Sequence, residues 1–198
     1  MSEARSEIAA LVNAWAFHRD QQSWDALRDT CHPEATISIS WFDGPHAGFV
    51  AASQVMAERS DAIVKHHLGV PMIRVRGSRA LSEVNVTIML RARTPIGEVD
   101  STSYARFYDR LEQRAEAWKI SRRTAIYEKD CAAAVSRPSL PEPFFEGLDR
   151  FPPEVRFLAA GLERAGQALS EHLVRDKSPE MRALYEAGEA WLAGRDGA

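Results

Sequence analysis

Cysteine, a charge bias and long apolar runs are all scarce or missing in this 198-residue chain. Cys31 and Cys131 are the only cysteines and have no CxxC spacing, which argues against a disulfide framework or a metal knuckle and fits a reduced, cytoplasmic setting. The net charge of −3 gives no reason to expect a nucleic-acid or anionic-membrane partner. No apolar stretch approaches the roughly 18 residues of a membrane span. The sequence also lacks the GxGxxG, P-loop and GxSxG motifs of nucleotide-binding proteins and hydrolases.

The first sixty residues have the periodicity of three helices and one strand. Apolar residues at i, i+3, i+4 and i+7 predict a helix over residues 3–19, and Asp20 ends it. Ser23 is a suitable N-cap for a short second helix, and Ser53 for a third. Between these two helices, residues 35–42 alternate as a strand does.

Long alternating segments follow and predict a sheet. Residues 80–93 alternate strictly, residues 98–114 and 115–130 give two further strands, and a shorter strand over residues 69–77 precedes them. The connections are short enough for hairpins, so we expect an antiparallel meander with the helices packed on one face.

The composition changes near residue 137. Five of the ten prolines lie in residues 137–154, which predicts an irregular linker. The apolar spacing of residues 155–172 and 181–192, with Ser178 as an N-cap, predicts a helical hairpin across residues 152–193. We therefore expect one domain over residues 1–132, and a second unit over residues 133–198 that packs on it or on a neighbouring subunit.

Three stretches resemble SnoaL-like domains of the nuclear-transport-factor-2-like superfamily: FHRDQQSWDALRDTCHPEA, KHHLGVPMIRVRGSRALSEVNV and YARFYDRLEQRAEAWKISRRTAIYEKD. The resemblance covers about residues 5–130. It implies an α+β fold in which three helices and a curved antiparallel sheet form a cone, open to one small hydrophobic molecule. It also implies a homo-oligomer, dimer or trimer, and we predict no cofactor.

Some enzymes of this family use an aspartate–histidine pair as a general base, and the resemblance places that pair at Asp20 and His66. His67 is the neighbouring candidate, but strand alternation sends adjacent side chains to opposite faces, so only one histidine is expected to enter the pocket. Imidazole suits a general base near neutral pH, and a carboxylate on one ring nitrogen would fix its tautomer. A metal site at the two histidines is not expected, because no third ligand has a recognisable spacing.

Five further residues are candidates for contact with a ligand. Trp15 stands where related dehydratases carry a tyrosine, and Phe17 does not replace that hydroxyl. Tyr104 could do so if it faces inward, and Asn85 belongs to a polar row that would line a pocket only on a buried face. The resemblance also places Arg123 at the pocket, although a pair with Asp109 across the hairpin is the interpretation that we favour. His46, with Asp43, is predicted in a loop at the pocket mouth.

Three functions fit this sequence. The first is a cofactor-free lyase or isomerase that acts on a small hydrophobic cyclic molecule such as a polyketide, steroid or terpenoid. The second is a non-catalytic small-molecule binding protein on the same cone. The third is an interaction module whose pocket is filled by side chains. A pocket around Asp20 and a histidine would favour the first function, and the sequence alone does not name a substrate.

Overall fold

The computed structural model describes residues 3–136 and 138–195. Residues 1–2 of the first predicted unit, and residues 137 and 196–198 of the second, lie outside the described residues. It contains five α-helices: α1 Glu3–Asp20, α2 Trp24–Asp29, α3 His46–Arg59, α4 Arg156–Arg164 and α5 Pro179–Leu192. Its strands are β1 Cys31–Ile39, β2 Phe42–Pro45, β3 Ile63–Leu68, β4 Met72–Arg76, β5 Arg79–Thr94, β6 Gly97–Arg114, β7 Ala117–Ala134 and β8 Val174–Arg175. Single 3-10 turns span Glu142–Phe144 and Leu148–Arg150.

One curved, mostly antiparallel sheet forms the body of the protein, with strand order β2-β1-β7-β6-β5-β3. The long strands β5, β6 and β7 pair along nearly their whole length, while β4 and β3 pair in turn with the two halves of β5. On the other side, β1 and the two-residue β8 run parallel to β7. The α+β class and the curved antiparallel sheet predicted from the sequence are confirmed.

The concave face of the sheet holds the main core. Side chains from α1 and α3 pack there against alternate residues of β5, β6 and β7, and its large aromatic members include Trp15, Phe49 and Phe107. Each is at most 2% exposed. Burial of aromatic side chains of this size stabilises a fold by about 1.5–3 kcal/mol each. This core fixes the end of α1 against the sheet, and therefore the position of Asp20.

The convex face carries a second, smaller core under α5. Leu81, Tyr108, Ile126 and Trp191 are buried together there. Arg106 is bonded beside them to Glu83 and Asp176, each at 2.8 Å, and also to Glu128. The predicted cap of α5 is confirmed, since the Ser178 hydroxyl accepts the backbone N–H of Met181 at 3.1 Å. The protein therefore covers part of its own outer sheet face.

The predicted helical hairpin is wrong in its arrangement. Helix α4 ends at Arg164, well before residue 172, and the chain turns at Gly166, whose φ is +72°. The strand β8 then separates α4 from α5, and the two helices pack against different cores. Apolar spacing identified both helices but could not show that the sheet lies between them.

The third helix begins eight residues earlier than predicted. Helix α3 starts at His46 with Pro45 as its N-cap residue, and Ser53 is a fully buried residue within the helix. The stretch around Gly44 and Gly48 therefore holds a short strand and the first turn of a helix instead of a loop. Among residues 3–136 and 138–195, no helix is both long enough and apolar enough to cross a membrane.

Candidate active site

The last residue of α1 and the middle of β3 meet at a carboxylate–imidazole pair. Asp20 Oδ1 lies 2.6 Å from His66 Nδ1, and Asp20 Oδ2 accepts the backbone N–H of the same histidine at 2.8 Å. The two side chains are only 6% and 10% exposed. Both carboxylate oxygens therefore hold a single residue, and they fix its ring and its backbone together.

This contact decides which ring nitrogen of His66 is available. A carboxylate accepts hydrogen bonds, so Nδ1 carries the proton in the neutral ring, and Nε2 keeps a lone pair. Within the described part of the chain, no hydrogen bond to Nε2 is present. The rings of Trp15 and Phe107 lie beside the imidazole, each with its centroid 6.3 Å away. The arrangement is that of a base with one oriented nitrogen and one open nitrogen.

Strand alternation separates the two adjacent histidines. Along β3, Val64, His66 and Leu68 are half-buried and face the cone, whereas Lys65 and His67 are exposed. His67 is the register partner of Thr87 on β5 and does not contact Asp20. The structure thus brings Asp20 together with His66 and leaves His67 on the outer face.

Arg123 and Asp109 form a buried ion pair across the β6–β7 hairpin. Two parallel bonds of 2.8 and 2.7 Å join them, and both side chains are 0% exposed. The guanidinium carbon lies 4.2 Å from the ring centroid of Trp15 and 4.4 Å from that of Phe107. The pairing favoured from the sequence is therefore present. The buried Nη1 of Arg123 has no hydrogen-bond partner among the described residues.

Trp15 fills the space beneath the pair instead of lining an open pocket. It is 1% exposed and stacks on Phe49 with the ring centroids 5.4 Å apart. Its indole N–H is buried and has no partner within the described residues. Trp15 thus contacts both His66 and Arg123, but it presents no acidic hydroxyl where related dehydratases carry one.

Three residues predicted to contact a ligand lie away from the aspartate–histidine pair. Phe17 is 62% exposed on α1. Asn85 and Tyr104 project from the convex face, because the concave face takes the even-numbered residues of β5 and the odd-numbered residues of β6. Lys129 covers the ring of Tyr104 there at 4.8 Å. Tyr104 therefore cannot supply the hydroxyl that Trp15 lacks.

His46 is also placed differently from the prediction. It is 3% exposed at the start of α3 and stacks on Phe49, so it does not stand in an open loop. Burial, together with the nearby charges of Arg123 and Arg28, lowers the pKa of His46 to about 4. Its neutral ring belongs to the core. Among the described residues, no group of three histidine, cysteine, aspartate or glutamate side chains could hold a metal ion.

A cleft of about 830 Å³ lies between the end of α1, α3, α4 and the sheet, with Asp20 in its wall; we call it the mouth cleft. Its apolar lining comes from the sheet, α3 and α4, and includes Val55, Val64, Leu90, Val99, Phe157, Leu158 and Leu162. Its volume lies in the range of sites that hold a drug-sized ligand. Sequence reasoning missed the contribution of α4. The spacing of Leu158 and Leu162 revealed an amphipathic helix but not the surface that it covers.

Comparison with known proteins gives the family. The model of the SnoaL-like domain matches residues 1–124. The chain is 27% identical over 164 residues to pea pathogenicity protein 2 of Fusarium vanettenii, an alignment that covers 81% of this chain and 70% of that protein. It is 28% identical over 174 residues to an uncharacterized protein of Aspergillus terreus, covering 78% of this chain. The chain spans 63% of the length of the Aspergillus protein.

Solved structures show the same fold at low identity. A candidate scytalone dehydratase from Novosphingobium aromaticivorans superposes with a TM-score of 0.56 at 16% identity, covering 69% of this chain and 91% of that one. A hexachlorocyclohexane dehydrochlorinase superposes with a TM-score of 0.59 at 14% identity, covering 70% of this chain and 95% of that one. With the domain match over residues 1–124, the chain therefore belongs to the SnoaL-like family.

Proposed function

We propose that this protein is a cofactor-free lyase or isomerase in which His66 removes a proton from carbon and Asp20 orients the imidazole. The observation that carries the proposal is the 2.6 Å contact between Asp20 Oδ1 and His66 Nδ1, with Oδ2 on the backbone N–H of the same residue. The proposed substrate is a small hydrophobic cyclic molecule, such as a polyketide, steroid or terpenoid, bound in the mouth cleft beside Asp20.

The chemistry follows from the open nitrogen. Nε2 of His66 takes the proton of a carbon acid, and the electron pair of that C–H bond moves toward an adjacent carbonyl or expels a leaving group from the next carbon. The imidazolium formed in this step is stabilised by the Asp20 carboxylate in a largely buried site, where charges interact more strongly than in water. Proton transfer of this kind contributes about 10²–10⁴ in rate.

The lack of a hydroxyl at Trp15 narrows the reaction. In a dehydration with a separate general acid, a tyrosine hydroxyl would protonate the departing oxygen. Since Trp15 offers only an indole N–H and Tyr104 lies on the other sheet face, the imidazolium of His66 must itself return the proton. This favours isomerisation or aldol-type cyclisation over dehydration with two separate groups. Elimination of a halide, the reaction for which the dehydrochlorinase is named, also needs no separate acid.

The test uses 5-nitrobenzisoxazole, a general carbon acid that a base converts to a coloured phenolate. We expect His66→Ala to lower kcat/KM by about 10²–10⁴ and Asp20→Asn to lower it as well, because an amide cannot accept both hydrogen bonds or balance the imidazolium. The matched control is His67→Ala, which removes the adjacent exposed imidazole and should leave turnover unchanged. Circular dichroism checks that each variant is folded. Equal turnover by wild type and His66→Ala would refute the general base.

A second candidate function, that of a non-catalytic binding protein, is favoured by the filled floor of the cone. Trp15 and Arg123 are 1% and 0% exposed there, so a ligand reaches only the rim of the aspartate–histidine pair. Under this alternative, hydrophobic cyclic molecules bind in the mouth cleft, and proton exchange at their acidic carbons in deuterium oxide is no faster with the protein than without it.

We also propose that the protein forms a homodimer or homotrimer. The edge strands β3 and β4 expose Ile63 and Met72, which are 59% and 77% accessible in the single chain. Sedimentation at micromolar concentration tests the proposal, since a species of 22.1 kDa would be the monomer.

A further inference from the structure

The mouth cleft carries an excess of positive charge, whereas the whole protein carries a net negative charge. The chain has a net charge of −3, yet the cleft is lined by four arginines and two aspartates and by no glutamate or lysine: Arg19, Arg59, Arg93, Arg164, Asp20 and Asp61. A concave surface lined by charges of one sign concentrates ligands of the opposite sign. The local excess of positive charge therefore predicts an anionic ligand.

Both aspartates of the cleft already have partners. Asp20 is occupied by His66, and Asp61 lies 3.3 Å from Arg93. Within the described residues, the guanidinium groups of Arg19 and Arg59 form no ion pair or hydrogen bond, although Arg19 lies 5.6 Å from the ring centroid of Trp24. Arg164 contacts only Phe144 in this way, through the carbonyl at 3.3 Å and the ring centroid at 4.6 Å. Three cations of the cleft thus have no carboxylate, whereas Arg123, Arg106 and Arg91 elsewhere on the sheet all do.

Arg19 is the central member of this set. It is half-buried and directly precedes Asp20. The negative charge of Asp20 acts on its guanidinium, but among the described residues no acidic side chain forms an ion pair with it. Burial lowers the pKa of its guanidinium, which means that water solvates the charge poorly at this position. A guanidinium remains charged in proteins and offers a planar fork of donors that matches a carboxylate. An anion that docks here would replace missing solvation, in the cleft that Asp20 also lines.

Much of the remaining lining is apolar, and it is interspersed with uncharged polar residues: Gln22, Ser60, Thr94, Ser101 and Gln167. Phe157, Leu158 and Leu162 of α4 face Val64 and Leu90 of the sheet across the cleft, and Phe144 stacks on Phe157 beside them with the ring centroids 6.2 Å apart. The aromatic and aliphatic part of this lining suits the body of a ring system. The volume of about 830 Å³ admits a body of two or three fused rings.

We infer that the mouth cleft binds an aromatic or alicyclic molecule that carries a carboxylate, with the ring body against α4 and the carboxylate on Arg19. This inference rests on the proposed function only for the orientation of the substrate in the cleft relative to His66. It narrows the substrate class from hydrophobic cyclic molecules in general to hydrophobic cyclic acids. Arg19 is then a specificity-determining residue, since it selects the charge of the ligand without touching the reacting carbon.

Three probes of nearly the same shape test this inference by equilibrium dialysis: anthracene-9-carboxylate, 9-(hydroxymethyl)anthracene and 9-(aminomethyl)anthracene, which are anionic, neutral and cationic. We expect the carboxylate to bind about 10- to 100-fold more tightly than the alcohol, and the amine to bind most weakly, because a charge-assisted bond to arginine has this strength. The preference should shrink between 50 and 500 mM KCl.

Variants locate the effect. Arg19→Gln should remove most of the preference for the carboxylate while leaving the affinity for the alcohol unchanged, and Arg19→Lys should restore part of it. Arg5→Gln is the matched control, because Arg5 is an exposed arginine near the start of the same helix and outside the cleft. Equal affinity for acid and alcohol, an unaltered preference in Arg19→Gln, or no binding of any probe at millimolar concentration would each overturn the inference.

The binding experiment and the turnover experiment fail separately. The binding experiment compares wild type with Arg19→Gln, and the turnover experiment compares wild type with His66→Ala, so each reads a different residue. Retained charge preference without turnover of 5-nitrobenzisoxazole would refute the general base alone. Turnover that depends on His66, combined with no preference for the carboxylate, would refute the substrate class alone.

Discussion

Removal of one partner of the buried Asp109–Arg123 pair should be among the most damaging single changes to this fold. Both side chains are 0% exposed, and the guanidinium lies between Trp15 and Phe107, so no water can replace a lost carboxylate. In Asp109→Ala the arginine stays charged and buried without its partner. Such changes cost about 3–5 kcal/mol. For a chain of 198 residues this corresponds to a fall in Tm of roughly 6–20 °C.

The chain offers a matched pair at its surface. Arg91 and Asp100 are also joined by two parallel bonds across a hairpin, both of 2.7 Å, but their side chains are 44% and 42% exposed. Asp100→Ala should therefore cost no more than about 1 kcal/mol, because water solvates the remaining charge. The two pairs share their hydrogen-bond geometry, so the difference between the two variants measures the effect of burial together with the ring contacts of Arg123.

Urea unfolding followed by tryptophan fluorescence measures both variants, with circular dichroism melts in parallel. A third protein, Asp109→Leu with Arg123→Met, removes both charges and should recover most of the stability lost in Asp109→Ala, since apolar replacements of a buried pair are often neutral or stabilising. The reasoning is refuted if Asp109→Ala unfolds at the same urea concentration as Asp100→Ala, or if the double variant is less stable than the single one.

Two further predictions concern other buried positions. A Cβ at Gly188 of α5 would lie 2.0 Å from the hydroxyl of Tyr108, so Gly188→Ala should destabilise the protein by about 1–3 kcal/mol and expose α5 to limited proteolysis, whereas Gly161→Ala in α4 meets nothing within 4 Å and should be neutral or slightly stabilising. The pKa of His46 is about 4 in the folded protein, below its ordinary value, because of burial and the charge of Arg123. Since the unfolded chain then binds more protons, the free energy of unfolding should fall as pH decreases from about 6.5 to 4, and His46→Gln should flatten this dependence in urea titrations at each pH.

Local signals in the sequence located the aspartate–histidine pair well. The apolar stripe of α1 ends at Asp20, which fixes where that carboxylate leaves the helix, and the alternation of β3 sends His66 and His67 to opposite faces. The resemblance to SnoaL-like domains then indicated which histidine faces the cone. The choice between His66 and His67 needed no distance, only the parity of the strand and one family motif.

Strand alternation alone could not show which face of the sheet the ligand candidates on β5 and β6 would occupy. Asn85 and Tyr104 were correctly placed on strands, but which parity is concave depends on the direction in which the sheet curves, and that direction is set by α1 and α3 packing far away in sequence. For Trp15, the sequence predicted the position but not the role of the ring. Its position beside the pair was predicted, but whether its ring lines a pocket or fills the core depends on its contacts with Phe49 and Phe107.

The C-terminal segment lies beyond the residues that match the family, yet part of it lines the mouth cleft. The proposed base and its aspartate come from residues 1–124, the part of the chain that matches the family. Helix α4, together with Phe144, supplies a wall of the mouth cleft and one of its unpaired arginines, Arg164. The wall that α4 supplies for the ring body therefore comes from outside the matched residues, whereas the proposed base His66 and the charge-selecting Arg19 lie within them. Replacement of Phe157 by alanine should then weaken the binding of anthracene-9-carboxylate and its alcohol by the same factor, since it removes ring contact but no charge, while the turnover of the smaller 5-nitrobenzisoxazole stays nearly constant.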